Sequence, residues 1–234
     1  LTARCGGMLL GQVNFKDLFI ALGLNPNFLL IIFGIGLALN VLSFFLFHRQ
    51  QVRIPGVLQR IGVCFLFAAA IYLLLGRRGV LPAAAVLLAG YWALMAFVPV
   101  PGYGTGRLDL EGNLARHVDT AVLGHHTWKH DPDWDPEGPL STIPAIATTL
   151  LGVAAGDLLR GSRSWATKLA ALMAGGAAAF SLGLLWGTSF PINKNLWTSS
   201  YALAMAGLGA VVLAVLLWAI DVRGWQSWAR PFEW

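Results

Sequence analysis

Charge is what this sequence has least of. Only 12% of its 234 residues are Asp, Glu, Lys or Arg, against 57% hydrophobic, and mean hydropathy is +0.67. A domain dissolved in water carries about a quarter charged residues, so water is excluded as the main solvent. Cysteine is nearly absent: Cys5 and Cys64 are far apart and form no CxxC or metal-ligand spacing, which excludes a disulfide framework and a zinc module. No basic cluster exists either. The net charge of +5 comes from residues scattered among short connections, a pattern that fits membrane orientation and leaves no nucleic-acid partner to expect. There is no internal repeat, and Leu1–Leu10 lacks the charged, apolar, cleavage-site order of a signal peptide.

What the sequence does have is apolar runs of bilayer length. A hydrocarbon core of about 30 Å takes roughly 20 helical residues, and six such spans are predicted: Asn27–Phe47, Pro55–Leu75, Val80–Val98, Thr142–Leu159, Lys168–Trp186 and Ser199–Ile220. The fold class is therefore all-α, a polytopic transmembrane bundle. Residues 1–26 read as an interfacial or partial span, 27–220 as the transmembrane core with a loop over 99–141, and 221–234 as a connection toward a further span. The chain starts at Leu1 rather than Met, and it reads as a piece of a longer one.

Alternating the spans puts nine Lys and Arg on one side and seven on the other, three of those seven in the long loop, where the orientation rule counts them little. The first side is assigned to the cytoplasm. All five histidines and the 49–54, 99–141 and 188–197 connections then share the outer side. Gly152/Gly156, Gly183/Gly187 and Ala202/Ala206 are spaced to let helices approach closely. Most tryptophans lie near span ends, as an interfacial belt requires. Asp157 reads as snorkelling or paired with Arg160.

The chemistry concentrates in three polar segments. The loop 99–141 has seven acids against three bases, a formal −4, leaving +9 for the rest of the chain; such a vestibule attracts a cationic ligand, although a solvated loop reads equally well. Within it, His125-His126 and the stretch His130–Glu137 fix no recognised ligand spacing, so no metal is expected. Pro132 and Pro136 point to an extended path there, and Asp135–Gly138 to a turn before a helix capped by Ser141 or Thr142. Around Pro191–Tyr201, Asn193, Lys194, Asn195 and Trp197 put a cation, two amides and an indole at the mouth of a span. A capped helix with an anchoring Trp and a snorkelling Lys is the plain alternative. Around Arg53–Gly62, Gln59 and Arg60 sit about one turn inside an apolar helix, where an arginine is costly unless it faces protein or water.

Together the segments RIPGVLQRIG (53–62), DPEGPLSTIPAIATTLLG (135–152) and PINKNLWTSSYAL (191–203) resemble the heparan-α-glucosaminide N-acetyltransferase family and its bacterial relatives, in order and in loop placement. The resemblance runs from about Ile31 to Trp234. It implies a membrane acyltransferase that takes an acetyl group from cytoplasmic acetyl-CoA, its acyl donor, and delivers it to the amine of a glucosamine-type sugar or glycan end on the far side of the bilayer. In a bacterium, a source the twelve arginines to four lysines also suggest, that is the periplasmic side of the inner membrane. A homodimer is compatible with this. The histidine usually credited with catalysis in the family lies upstream of the first motif and has no counterpart in this sequence, which leaves His117 and His130 as weak candidates for a base. Arg53, Gln59, Arg60, Asn193, Lys194, Asn195 and Trp197 are the candidates for binding the donor, and Asp135 and Glu137 for holding the sugar amine. An amino-sugar transporter or permease is the alternative reading, since polar groups at span mouths also suit a substrate path.

Overall fold

A computed structural model of the chain describes residues 26–47, 51–130 and 133–225, with side chains described outside 26–28, 129, 130 and 133. The expectations for residues 1–25, His48, Arg49 and the segment 226–234 lie outside the described residues. Among the described residues, five helices are long and apolar enough to cross a membrane: α1 (Pro26–Leu46), α2 (Val57–Phe97), α4 (Thr142–Arg160), α5 (Trp165–Trp186) and α6 (Ser199–Leu217), the last continued by a π-helical turn, Trp218–Val222. Large apolar side chains point outward around the bundle, among them Phe45, Val86, Leu182 and Leu185. Such a surface is stable against lipid and not against water. The chain is an integral membrane protein of all-helical architecture.

The 41 residues of α2 would make a rod of about 60 Å, twice a bilayer, but the rod is broken at Gly76, where φ is 64° and ψ is −177°. That backbone conformation is open to glycine and strained for other residues. The chain doubles back there, because Arg60 and Tyr91, on opposite sides of Gly76 in sequence, both reach the 193–197 turn: the Arg60 guanidinium lies 4.3 Å over the Trp197 ring, and the Tyr91 hydroxyl donates to Leu196 O at 2.6 Å. The two spans expected at Pro55–Leu75 and Val80–Val98 are thus the two arms of one element, and the described residues make six passes.

The middle of the bundle is filled mostly by small residues. Ala68 and Ala84 from the two arms of α2 meet Ala147 and Leu150 of α4 and Ala202 of α6. α5 and α6 pack more tightly still. A Cβ on Gly183 would come within 2.5 Å of Ala204 N, and one on Gly207 would overlap the main chain at Phe180. Gly152 and Gly156, expected to admit a neighbouring helix, meet nothing within 4 Å and instead line an open groove with Tyr72 and Asp157. Asp157 accepts from Tyr72 Oη at 3.2 Å and faces Arg77 Nε at 3.8 Å, so its ion partner is the turn of the neighbouring hairpin rather than Arg160.

The 99–141 connection is not an open loop. It contains a helix, α3 (Leu114–Leu123), whose first turn is capped by the Asn113 side chain accepting from Arg116 N at 2.8 Å, and a two-residue antiparallel hairpin, β1 (Lys129–His130) with β2 (Asp133–Trp134). A second buried cluster, including Tyr91, Met95, Leu114, Phe190 and Leu196, ties this cap to the bundle.

Candidate functional site

The three polar segments meet at one end of the bundle. Ile54 N donates to His126 O at 3.1 Å, and the His126 ring sits 2.8 Å from Val52 O, which pins the long connection to the start of α2. Arg53 then grips the lead-in to α4. Its Nε and Nη2 donate to the two oxygens of Asp135 at 2.7 and 2.6 Å, and Nη2 also donates to Glu137. Asn40 of α1 holds the other side of the segment leading into α2, donating to Arg53 O and Pro55 O at 3.0 Å each. Burial on its own would loosen the Arg53 proton. The hydrogen bonds and charges of Asp135 and Glu137 outweigh that, and the guanidinium is held more firmly protonated than usual.

This pairing bears on two expectations. Asp135 is buried, accepts both branches of Arg53 and also takes the Glu137 amide at 2.9 Å, so it is closed to an incoming ammonium. Only Glu137, half-buried, borders an open space. Arg53 is likewise matched against two carboxylates.

Arg60 lies deeper and is 8% exposed. Nη1 and Nη2 donate to Pro136 O at 3.0 Å and Ser141 O at 2.6 Å, while the guanidinium plane is covered by Trp197. A cation so far into an apolar bundle is stable only with such partners. The helix start beside it is unlike the expected one. Ser141 makes no cap bond and instead donates to Pro136 O and Gly138 O, and Thr142 donates to Gly138 O. These bonds shape the turn whose carbonyls receive Arg60. Trp197 is held over the arginine by its indole N–H to Thr148 Oγ1 at 3.3 Å, an edge contact with Tyr201, and a backbone φ of 49°. A non-glycine residue there is strained by about 1 kcal/mol or more.

Two donors in this corner have no acceptor: Gln59 Nε2, in a side chain only 4% exposed, and Arg60 Nε. Both residues line a cavity of about 600 Å³, otherwise largely apolar, with Phe33, Phe67, Ile146 and Glu137 also on its wall. Buried donors left open cost free energy unless something fills them. The cavity therefore has room for an apolar body, with two of its lining residues each keeping an unpaired donor.

A second cavity, of about 400 Å³, has Asn193, Asn195 and Leu196 of the 193–197 turn on its wall. Asn193 Oδ1 accepts from the Asn195 and Leu196 amides at 2.8 and 3.2 Å, and the Thr198 hydroxyl caps α6. Lys194 and Asn195 are exposed at the tip. His117 is exposed on α3, while His130 lies in β1 with its side chain outside the described part. The group that sequence reasoning passed over is Asp119. It is 1% exposed, neither oxygen completes a hydrogen bond, and it presses on Gly138, where any Cβ would overlap it. Burial pushes its carboxyl up to about 7, the nearby Asp135 amide offsetting only part of that. Its signal was an acid on the apolar face of an amphipathic helix, among Leu114, Ala115 and Val118.

No family model matches the chain. Two curated relatives do, human and mouse heparan-alpha-glucosaminide N-acetyltransferase, each 29% identical over 92% of this chain and 39% of the relative. The chain thus spans about two-fifths of the length of these relatives. The family resemblance carried by the three polar segments extends over nearly all of the chain, and the chain is similar throughout to heparan-alpha-glucosaminide N-acetyltransferases.

Proposed function

We propose that this chain forms the membrane core of an N-acetyltransferase. In this reading acetyl-CoA is supplied from the cytoplasm, at the end of the bundle carrying Arg77, Arg78 and Arg160. The acetyl group passes to the amine of a glucosamine-type sugar at the end covered by the 99–141 segment, the periplasmic side of a bacterial inner membrane. The observation that carries the reading is the pair of unfilled donors, Gln59 Nε2 and Arg60 Nε, in two neighbouring residues that line one cavity.

Acyl transfer needs this kind of corner. The amine attacks the thioester carbonyl carbon, a C–N bond forms, the C–S bond breaks, and charge builds on the carbonyl oxygen between the two steps. Fixed donors aimed at that oxygen in a dry site are worth about 3 kcal/mol each. Gln59 and Arg60 are such donors, rigid because Arg60 is clamped by Pro136 O, Ser141 O and Trp197. The acetyl group lies against the apolar wall. Lys194, Asn195 and Glu137 stand where the sugar approaches, and the amine proton leaves to a base on that face, His117 being an exposed candidate.

The test uses the full-length protein in proteoliposomes loaded with glucosamine, with labelled acetyl-CoA outside. Label on the enclosed sugar supports the proposal, and Gln59→Leu reduces its rate about a hundredfold with the melting temperature little changed. Unmodified glucosamine crossing the bilayer without label would instead identify a permease.

A further inference from the structure

Asp119 of α3 is fully buried, and neither of its oxygens completes a hydrogen bond. Its helix packs against β2 and α2. Among the described residues, the titratable and charged groups that face the carboxyl are Asp135 from the lead-in to α4 and Arg60 and Tyr91 from the two arms of α2. All three side chains are engaged elsewhere. Asp135 is taken by Arg53, Arg60 donates to Pro136 O and Ser141 O, and the Tyr91 hydroxyl donates to Leu196 O. A buried carboxyl without donors is held as the neutral acid, because the charged form has lost its water and gained nothing in exchange.

What this acid touches is the 135–141 turn. Both oxygens press on Gly138, where a Cβ would overlap them. Gly138 O accepts from Ser141 Oγ at 3.1 Å and Thr142 Oγ1 at 2.9 Å, and Ser141 Oγ also donates to Pro136 O at 2.8 Å. Pro136 O and Ser141 O are in turn the acceptors that fix Arg60. A glycine and a serine thus link the acid to the arginine. We propose that Asp119 is a positioning residue: as a neutral acid it seats the 135–141 turn against Arg60, and its ionisation unseats that turn. An ionised Asp119 is stabilised by the nearest donors, the Asp135 amide and the Arg60 guanidinium, and both are held by the same turn. Movement toward either shifts the carbonyls that fix Arg60. The consequence for acyl transfer rests on the acetyltransferase reading, whereas the movement of the turn does not.

Hydrogen exchange of the full-length protein in detergent, read by mass spectrometry on peptides covering 135–142, tests the movement without any substrate. Rates are divided by those of the unfolded peptides at each pH. Protection in the wild type should fall about tenfold between pH 6 and pH 8, the factor by which one group titrating near 7 shifts a linked equilibrium over that interval. In Asp119→Asn it should stay level. Gly138→Ala crowds the acid from the other side and should loosen the turn already at pH 6, and Asp119→Ala combined with it should restore the protection. In proteoliposomes the wild-type rate of acetyl transfer, relative to that of Asp119→Asn, should fall over the same interval. Equal pH dependence of the turn in wild type and Asp119→Asn overturns the proposal. So does a Gly138→Ala turn as protected as the wild type, or a turn that loosens while the relative transfer rate stays constant. A turn that loosens with pH in a protein showing no transfer at all would keep the movement and remove the acetyltransferase reading. Transfer from a turn indifferent to pH would do the reverse.

Discussion

Replacing Arg53 by Met tests the joint between the long extramembrane segment and the bundle. Asp135, whose side chain is fully buried, receives two hydrogen bonds from Arg53, and Glu137 a third. Removing the guanidinium leaves a carboxylate that has already lost its water with only the Glu137 amide for company. Breaking one partner of a buried pair costs about 3–5 kcal/mol, whereas replacing both by apolar groups of similar volume is often close to neutral. Arg53→Met is therefore expected to destabilise the folded protein by about 3–4 kcal/mol, toward the low end because Arg53 keeps some access to solvent. Arg53→Met with Asp135→Leu should recover at least half. Arg53→Lys should fall between, since an ammonium cannot reproduce the two-pronged grip on Asp135. Unfolding followed by circular dichroism in mixed micelles under rising denaturing detergent measures all three. An Arg53→Met protein within about 0.5 kcal/mol of wild type, the ordinary range of a surface substitution, would refute the reasoning, as would a double substitution no better than the single one.

Asp119 gives a pH dependence of definite sign. Its carboxyl titrates near 7 in the folded protein against 3.8 ordinarily, so the folded state holds the proton more tightly. Stability from this group is complete below about pH 4 and is lost as pH rises toward 7, on the order of 4 kcal/mol in all. Melting temperature should fall over that range in the wild type and fall less in Asp119→Asn, and equal slopes would contradict the assignment. Helix packing gives a contrast among glycines: Gly207→Leu should cost at least about 3 kcal/mol because it must displace the main chain at Phe180, while Gly152→Ala should change stability little because nothing faces it. Trp197→Ala and Trp197→Gly both lose the cover over Arg60, yet the glycine protein should be the more stable by about 1 kcal/mol, since only glycine relaxes at a φ of 49°; thermal unfolding of the pair would show it.

The transmembrane passes were legible because length and hydropathy alone decide them. Even the hairpin of α2 left a trace, in the Gly76–Gly79 gap between two apolar runs. The shared location of the three polar segments followed from counting passes, and the hydrogen bonds of Arg53 and Arg60 meet that expectation. Their partners were not legible. Asp135 lies 82 residues from Arg53, and nothing local says that its charge is consumed. For Asp157 the sequence offers snorkelling or pairing with the nearby Arg160, but hairpin geometry brings Arg77. Gly152 and Gly183 look alike as small residues on apolar helices, and only the neighbouring helix tells that one faces a groove and the other a backbone. α3 was hidden by the loop's overall polarity, although Asn113 as cap and the spacing of Leu114, Ala115 and Val118 were present.

A shared site requires the 99–141 segment and the 193–197 turn to occupy one side of the bilayer, with the Gly76 hairpin on the other. The direct measurement is labelling by a membrane-impermeant maleimide in oriented vesicles, using single cysteines in a chain whose Cys5 and Cys64 have been replaced. Cysteines at the exposed positions Glu111 and Lys194 should react from the same face, and one at exposed Arg78 from the opposite face. Reaction of the Glu111 and Lys194 positions from opposite faces would contradict the shared site and every function built on it.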